Sequence, residues 1–153
     1  MQITTILGAL FAATASGAVV ESRDAVVYNV FGFTADCTPH SLNCGYGFRV
    51  VPSSDAPGSN GTICGNIVGG PDFLPPLPLT ACFTNPNIAY SIAIPDDGGL
   101  VLTITSALDA HTNITGTHYV PADQLILQNG TISVSQQYAG PTNFTIATSE
   151  VAV

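Results

Sequence analysis

The chain has 153 residues, 46% of them apolar and only 8% charged, which excludes a disordered tail protein and fits a single domain. Ten acidic residues stand against two basic ones, Arg23 and Arg49, with no lysine, for a net charge of −8. Such a surface repels phosphates and anionic lipids, which makes nucleic acid and anionic membranes unfavourable partners, and an acidic medium would relieve its self-repulsion.

From Ile3 to Ala18 the residues are apolar or small, with Ser and Thr the only polar types. The run is too short and too interrupted to span a membrane, and it reads as a secretory leader over residues 1–18 ahead of a β domain at 19–153. Ser16-Gly17-Ala18 and Ala13-Thr14-Ala15 both offer a peptidase its small residues, although the n-region lacks Lys and Arg. Arg23, closing Glu21-Ser22-Arg23, is a weaker processing signal. Without the leader about 130 residues remain, enough to bury roughly two-thirds of the unfolded surface.

Ala25 to Cys37 is the first predicted strand, with Phe31, Phe33, Ala35 and Cys37 on one face and Thr34 and Asp36 on the other. Thr38 to Asn43 is a turn. Cys44 to Val51 is the second strand, with Cys44, Tyr46, Phe48 and Val50 facing one way and Gly45, Gly47 and Arg49 the other. Two glycines on one face suggest close backbone approach, a bulge or strong bending, as in a small barrel. Pro52 to Gly61 is a polar loop, and Thr62 to Val68 is a third short strand.

Gly69 to Pro86 holds Pro71, Pro75, Pro76, Pro78 and Pro86, which forbid a helix or a central strand, so a polyproline-like surface strap is expected. Asn87 to Ala107 is a hairpin: Ile88, Tyr90, Ile92 and Ile94 alternate, Pro95-Asp96-Asp97-Gly98-Gly99 turns, and Leu100, Leu102 and Ile104 return. Residues 108–118 read as a polar loop. Gln124 to Leu127 and Thr131 to Gln137 form a second hairpin around Asn129-Gly130, and Asn143 to Val153 is a last strand with Phe144 and Ile146 on one side. No helical stripe and no repeat is present. Short strands at this spacing predict an all-β fold, a small antiparallel barrel or sandwich.

Cys37, Cys44, Cys64 and Cys82 allow three pairings. Sequential bridges, Cys37–Cys44 with Cys64–Cys82, are preferred to the nested set, Cys37–Cys82 with Cys44–Cys64. Each sequential bridge would stabilise by about 2.5–3 kcal/mol through loop entropy. No Cys-x-x-Cys pair supports zinc. Sequons begin at Asn60, Asn113, Asn129 and Asn143. Oxidised pairs and sequons both point outside the cytosol. No retention tetrapeptide or hydrophobic tail ends the chain at Val153, so export to the extracellular space is expected.

Chemistry is scarce. His111, His118 and Asp109 make a weak metal-ligand set, and loop histidines need no such role. There is no Gly-x-Ser-x-Gly elbow, and Asp96-Asp97 sits where a turn favours aspartate. Asp72, beside Pro71, reads the same way. No catalytic residue, metal or cofactor is expected. Tyr46, Phe48, Phe73, Leu74 and Phe83 could line a small apolar pocket near the strap, or fill the core.

The stretch from Phe31 to Ser41, then Cys44-Gly45-Tyr46-Gly47-Phe48, resembles the small secreted hypersensitive-response-inducing proteins of filamentous fungi. Gly70-Pro71-Asp72-Phe73-Leu74-Pro75 and Thr117-His118-Tyr119-Val120-Pro121-Ala122 are similar too, as are the Met-Gln-x-Thr-Thr leader and the Glu-Ser-Arg boundary. The resemblance covers nearly the whole mature chain, through short motifs. It implies an extracellular β-barrel of the Alternaria-allergen type and a role as an elicitor or effector perceived by plants. It carries over no catalytic residue.

Three functions follow as expectations. The first is a non-catalytic interaction protein that meets a host plant protein and triggers defence or cell death. The second is a barrel that carries a small apolar ligand. The third is a cell-wall hydrolase, for which Asp96, Asp97 or His118 would be needed. No membrane span is expected, and the oligomeric state is left open.

Overall fold

A computed structural model describes residues 25–70, 72–130 and 133–153. The leader assigned to 1–18, Arg23, Pro71 and the threonine of the Asn129 sequon lie outside the described residues. The strands are β1 (Val27–Cys37), β2 (Asn43–Pro52), β3 (Thr62–Gly69), β4 (Leu77–Ala81), β5 (Ile88–Ala93), β6 (Leu100–Ala107), β7 (Thr112–Val120), β8 (Leu125–Asn129), β9 (Val134–Tyr138) and β10 (Phe144–Ala152). One 3₁₀ turn covers Ala122–Gln124, and no α-helix occurs among the described residues.

The fold is all-β, a nearly closed antiparallel barrel. Strands run in the order β3-β2-β1-β10-β7-β6-β5-β4, with β9 joining β1 at Asp36↔Gln137 and β8 pairing β9. The two ends of that order meet through the Cys64–Cys82 disulfide, which ties β3 to the residue after β4. Beside it the Phe83 amide donates to the Ile63 carbonyl at 2.9 Å, and the Ile63 amide donates to Thr84 Oγ1 at 2.9 Å. The Cys37–Cys44 disulfide joins directly opposed residues of β1 and β2. The pairing is therefore the sequential one.

Alternation fills the inside. Tyr28, Val30, Phe48, Val50, Tyr90, Leu100, Leu102, Ile104 and Ile146 are all buried. Phe33 meets Tyr138 and Phe144 edge-to-face at 5.0 and 5.7 Å, and Phe48 meets Tyr90 at 5.0 Å. Each fully buried side chain of this size contributes about 1.5–3 kcal/mol.

Three expectations need correction. Phe31 does not share the face of Phe33. Between Phe31↔Arg49 and Thr34↔Gly47, β1 holds one residue more than β2, and Gly32 takes φ +63° there. This bulge reverses the parity, so Tyr28 and Val30 point inward before it, Phe33 and Ala35 point inward after it, and Phe31 points out. Next, the proline segment is not strand-free. Leu77–Ala81 forms β4, an edge strand in the sheet order, and Pro78 sits where its pairing with β5 shifts register. The strap before it is more than surface: Leu74 is buried, its amide donates to Gln136 Oε1 at 2.9 Å, and Tyr46 OH donates to the Pro75 carbonyl at 2.6 Å. Finally, the polar segment 108–118 contains most of β7. Its inward positions carry Ile114, Gly116 and His118, a sequence too small and polar to read as a core face.

Candidate functional site

The residues singled out for chemistry do not converge. His111 lies in the β6–β7 loop, where its amide donates to Asp109 Oδ1 at 2.8 Å. His118 is seven residues along β7, roughly 20 Å away on an extended strand. It stacks on Phe144 with ring centroids 3.8 Å apart, and desolvation lowers its pKa. Among the described residues no group of three or more His, Cys, Asp and Glu could hold a metal ion.

Asp97 has both oxygens engaged. Oδ1 accepts from the Gly99 amide at 2.9 Å and Oδ2 from Tyr119 OH at 2.7 Å, and these bonds hold its carboxyl below the usual range. The pair with Asp96 thus builds the β5–β6 turn. Burial raises the phenols of Tyr46 and Tyr90, the latter to about 12. Tyr90 OH is buried with no hydrogen-bond partner among the described residues.

Of the five residues that could line one apolar pocket, only Tyr46 and Phe83 border the same groove. Tyr46, Phe48 and Leu74 belong to the core, while Phe73 and Phe83 are 56% and 72% exposed. Of the sequon asparagines, Asn60, Asn129 and Asn143 are exposed and Asn113 is half-buried on β7. Asn143 Oδ1 also accepts from the Gly32 amide at 2.9 Å, capping the bulge.

What the fold does bring together is a trough on the outer face of β1, β2 and β3. Register aligns Thr34, Gly47 and Gly65 in one row and Asp36, Gly45 and Ile67 in the next. The alternation that sends Tyr46 and Phe48 inward leaves their glycine neighbours outside, so the floor is bare backbone. The resulting groove is about 490 Å³, with Thr34 and Asp36 on one wall and Ile67 and Phe83 on the other. The Phe83 ring leans over Gly65: a Cβ there would lie 3.4 Å from its Cε2. A Cβ at Gly45 would meet nothing within 4 Å. Ile67 is 73% exposed, and Ile63 adds a further exposed apolar residue on the same strand.

The sequence signal for this surface was the pair Gly45 and Gly47. Its apolar wall was not readable, because Phe83 reaches β3 only through the Cys64–Cys82 bridge and the bonds beside it. A second pocket, about 300 Å³, opens between Val26, Leu108, Ile114 and Thr148 where β1, β7 and β10 meet.

Comparison with family models and with curated proteins finds no match for this sequence. No helix among the described residues is long and apolar enough to cross a membrane. The two intramolecular disulfides fit an extracellular protein.

Proposed function

We propose that this chain is a secreted, non-catalytic interaction protein, perceived by a plant host as an elicitor of defence or hypersensitive cell death. The observation that carries the reading is the glycine-floored trough walled by exposed Ile67 and Phe83. Exposed apolar side chains gathered around a concave strip are the usual mark of a partner surface. Bare backbone lets a partner approach closely, and the bridges on either side of the trough hold its shape without a partner. The aromatic interior and the occupied carboxylate of Asp97 support binding over catalysis. The sequence resemblance supports the plant host.

The direct test is infiltration of the purified, oxidised protein into leaves. Local necrosis is expected from the intact protein and not from reduced, alkylated material. Absence of any response across susceptible hosts would count against the reading.

A carrier of a small apolar ligand takes support from the pocket beside Val26, Leu108 and Ile114, which lies at the lower end of ligand-site volumes. Thermal stabilisation by an apolar compound, lost in Ile114→Asn, would favour it.

A further inference from the structure

Independently of the trough, we propose that the cleft between β1, the end of β2 and the loop 53–61 is a binding site for a carboxylate-bearing saccharide of the uronate class, with Arg49 as the carboxylate fork.

Charge singles the cleft out. Arg49 is the only Lys or Arg among the described residues of a chain with net charge −8. Its guanidinium lies 5.2 Å from the centre of the Phe31 ring, and it forms no ion pair among the described residues. Asp55, on the loop wall, instead accepts from Ser59 Oγ at 3.2 Å. A lone guanidinium in so acidic a chain has its fork of N–H donors open to an anion.

The arginine is held ready. Phe31 faces outward only because of the Gly32 bulge, which brings it opposite Arg49 in register. Gly61, at φ +69°, lies beside the stem. A Cβ at Gly61 would lie 3.3 Å from Arg49 Cγ and 2.6 Å from the Val50 carbonyl, so only glycine fits. An arginine whose guanidinium lies over the ring and whose stem runs beside the loop loses less freedom on binding.

The rest of the cleft, about 450 Å³, supplies hydroxyl-matching groups. Asn29 Oδ1 accepts from Thr145 Oγ1 at 3.1 Å, which orients the amide. Its Nδ2 reaches the Val51 carbonyl at 3.4 Å and keeps a second proton free. Ser53 Oγ accepts from the Val27 amide at 3.0 Å and keeps its own proton to donate. A carboxylate fork and two spare donors match a sugar acid.

Other anions fit less well. In this region β1 is paired on both sides, with β10 through Val27–Val30 and with β2 through Tyr28–Phe31, so an acidic peptide has no strand edge to join. Phosphate-rich polymers meet one cation against a net charge of −8. The same repulsion limits the ligand to a short or sparsely charged saccharide.

The test is titration of the intact, oxidised protein with sodium trigalacturonate, its trimethyl ester and citrate, read by ¹⁵N-resolved NMR at the Arg49 Nε–H and by calorimetry. Trigalacturonate is expected to move the Arg49 signal. The ester, citrate against wild type, and trigalacturonate against Arg49→Gln are each expected to bind at least about tenfold more weakly, the value of one charge-assisted bidentate contact. Ser53→Ala is expected to weaken trigalacturonate severalfold. Equal binding of the ester, or no loss in Arg49→Gln, overturns the carboxylate fork. Citrate binding as tightly as trigalacturonate overturns the saccharide assignment. No titratable change with trigalacturonate overturns the site.

Discussion

Gly45 and Gly116 show how differently two strand glycines can be used. Around Gly45 a methyl group meets nothing, whereas at Gly116, buried in β7, it would lie 2.7 Å from the Ala147 carbonyl and from Ile146 Cγ2. Gly45→Ala is therefore expected to leave stability unchanged or raise it by up to about 1 kcal/mol, because alanine loses less backbone freedom on folding. Gly116→Ala is expected to cost about 1–3 kcal/mol through overpacking. Denaturant midpoints of both variants check the contrast. Periodicity marked Gly45 and Gly47 as facing away from Tyr46 and Phe48, which is where they are. Nothing in the sequence distinguished Gly116, since its constraint comes from β10, about thirty residues further on.

His118 is the other residue with a measurable consequence. Stacked on Phe144 and partly desolvated, it binds a proton more weakly folded than unfolded. The stability linked to it is whole above its unfolded value of 6.5 and is lost as pH falls through the lowered folded value. Unfolding free energy is expected to fall on acidification from about pH 7 to about pH 5, and His118→Phe should flatten that slope. A wild-type slope unchanged in His118→Phe would assign the effect to other groups.

At the scale of strands, the two disulfides do different work. Cys37–Cys44 staples a hairpin whose register is already fixed by β1–β2 pairing, while Cys64–Cys82 joins the two ends of the strand order. Replacing Cys64 and Cys82 by serine is expected to cost about 3 kcal/mol and to remove exchange protection from the Phe83 amide, which bonds to Ile63 across the seam. Replacing Cys37 and Cys44 should cost about 2.5 kcal/mol, with Phe83 still protected. Unfolding curves and amide exchange on the two double variants measure both.

Strand legibility followed the strength of the alternation. The β5–β6 hairpin reads directly, with Tyr90 opposite Ile104 and Ile92 opposite Leu102, and Ile88 opposite Ser106; the Asn129-Gly130 signal falls at the β8–β9 connection, but Asn129 still pairs with Val134, and the Gly130 amide donates to the Ser133 carbonyl at 2.7 Å before β9 begins. The weak places were those where a tertiary feature overrides local pattern. The bulge at Gly32 shifts parity within one strand, β4 tolerates Pro78 at an edge, and β7 presents Gly116 and His118 to an interior already filled by its neighbours. Ile94 continues the alternation of β5 in sequence but lies past its end, partly exposed.

For the molecule as a whole, the interior is occupied by its own aromatic and aliphatic side chains, and the proposed recognition surfaces lie on the outside. The outer face of β1, β2 and β3 carries both features that stand out there, the glycine trough and the Arg49 cleft. Both depend on the same arrangement: a strand pair that sends large residues inward and a bulge that sends Phe31 outward. The sequence disclosed the oxidised β framework and the glycine floor; the wall and the cleft exist only once β3, the segment after β4 and the loop 53–61 are folded together.

The most direct measurement fills the trough without disturbing the fold. Gly45→Leu places a side chain where a Cβ meets no other atom, over the floor between Asp36 and Ile67. Wild-type and variant proteins, matched for oxidised mass and β-type circular dichroism, are infiltrated into the same leaves over a dilution series. Necrosis is expected from the wild type, with a response reduced by at least about tenfold from Gly45→Leu, as when a buried contact is blocked. Equal necrosis from both proteins would contradict the role of the trough.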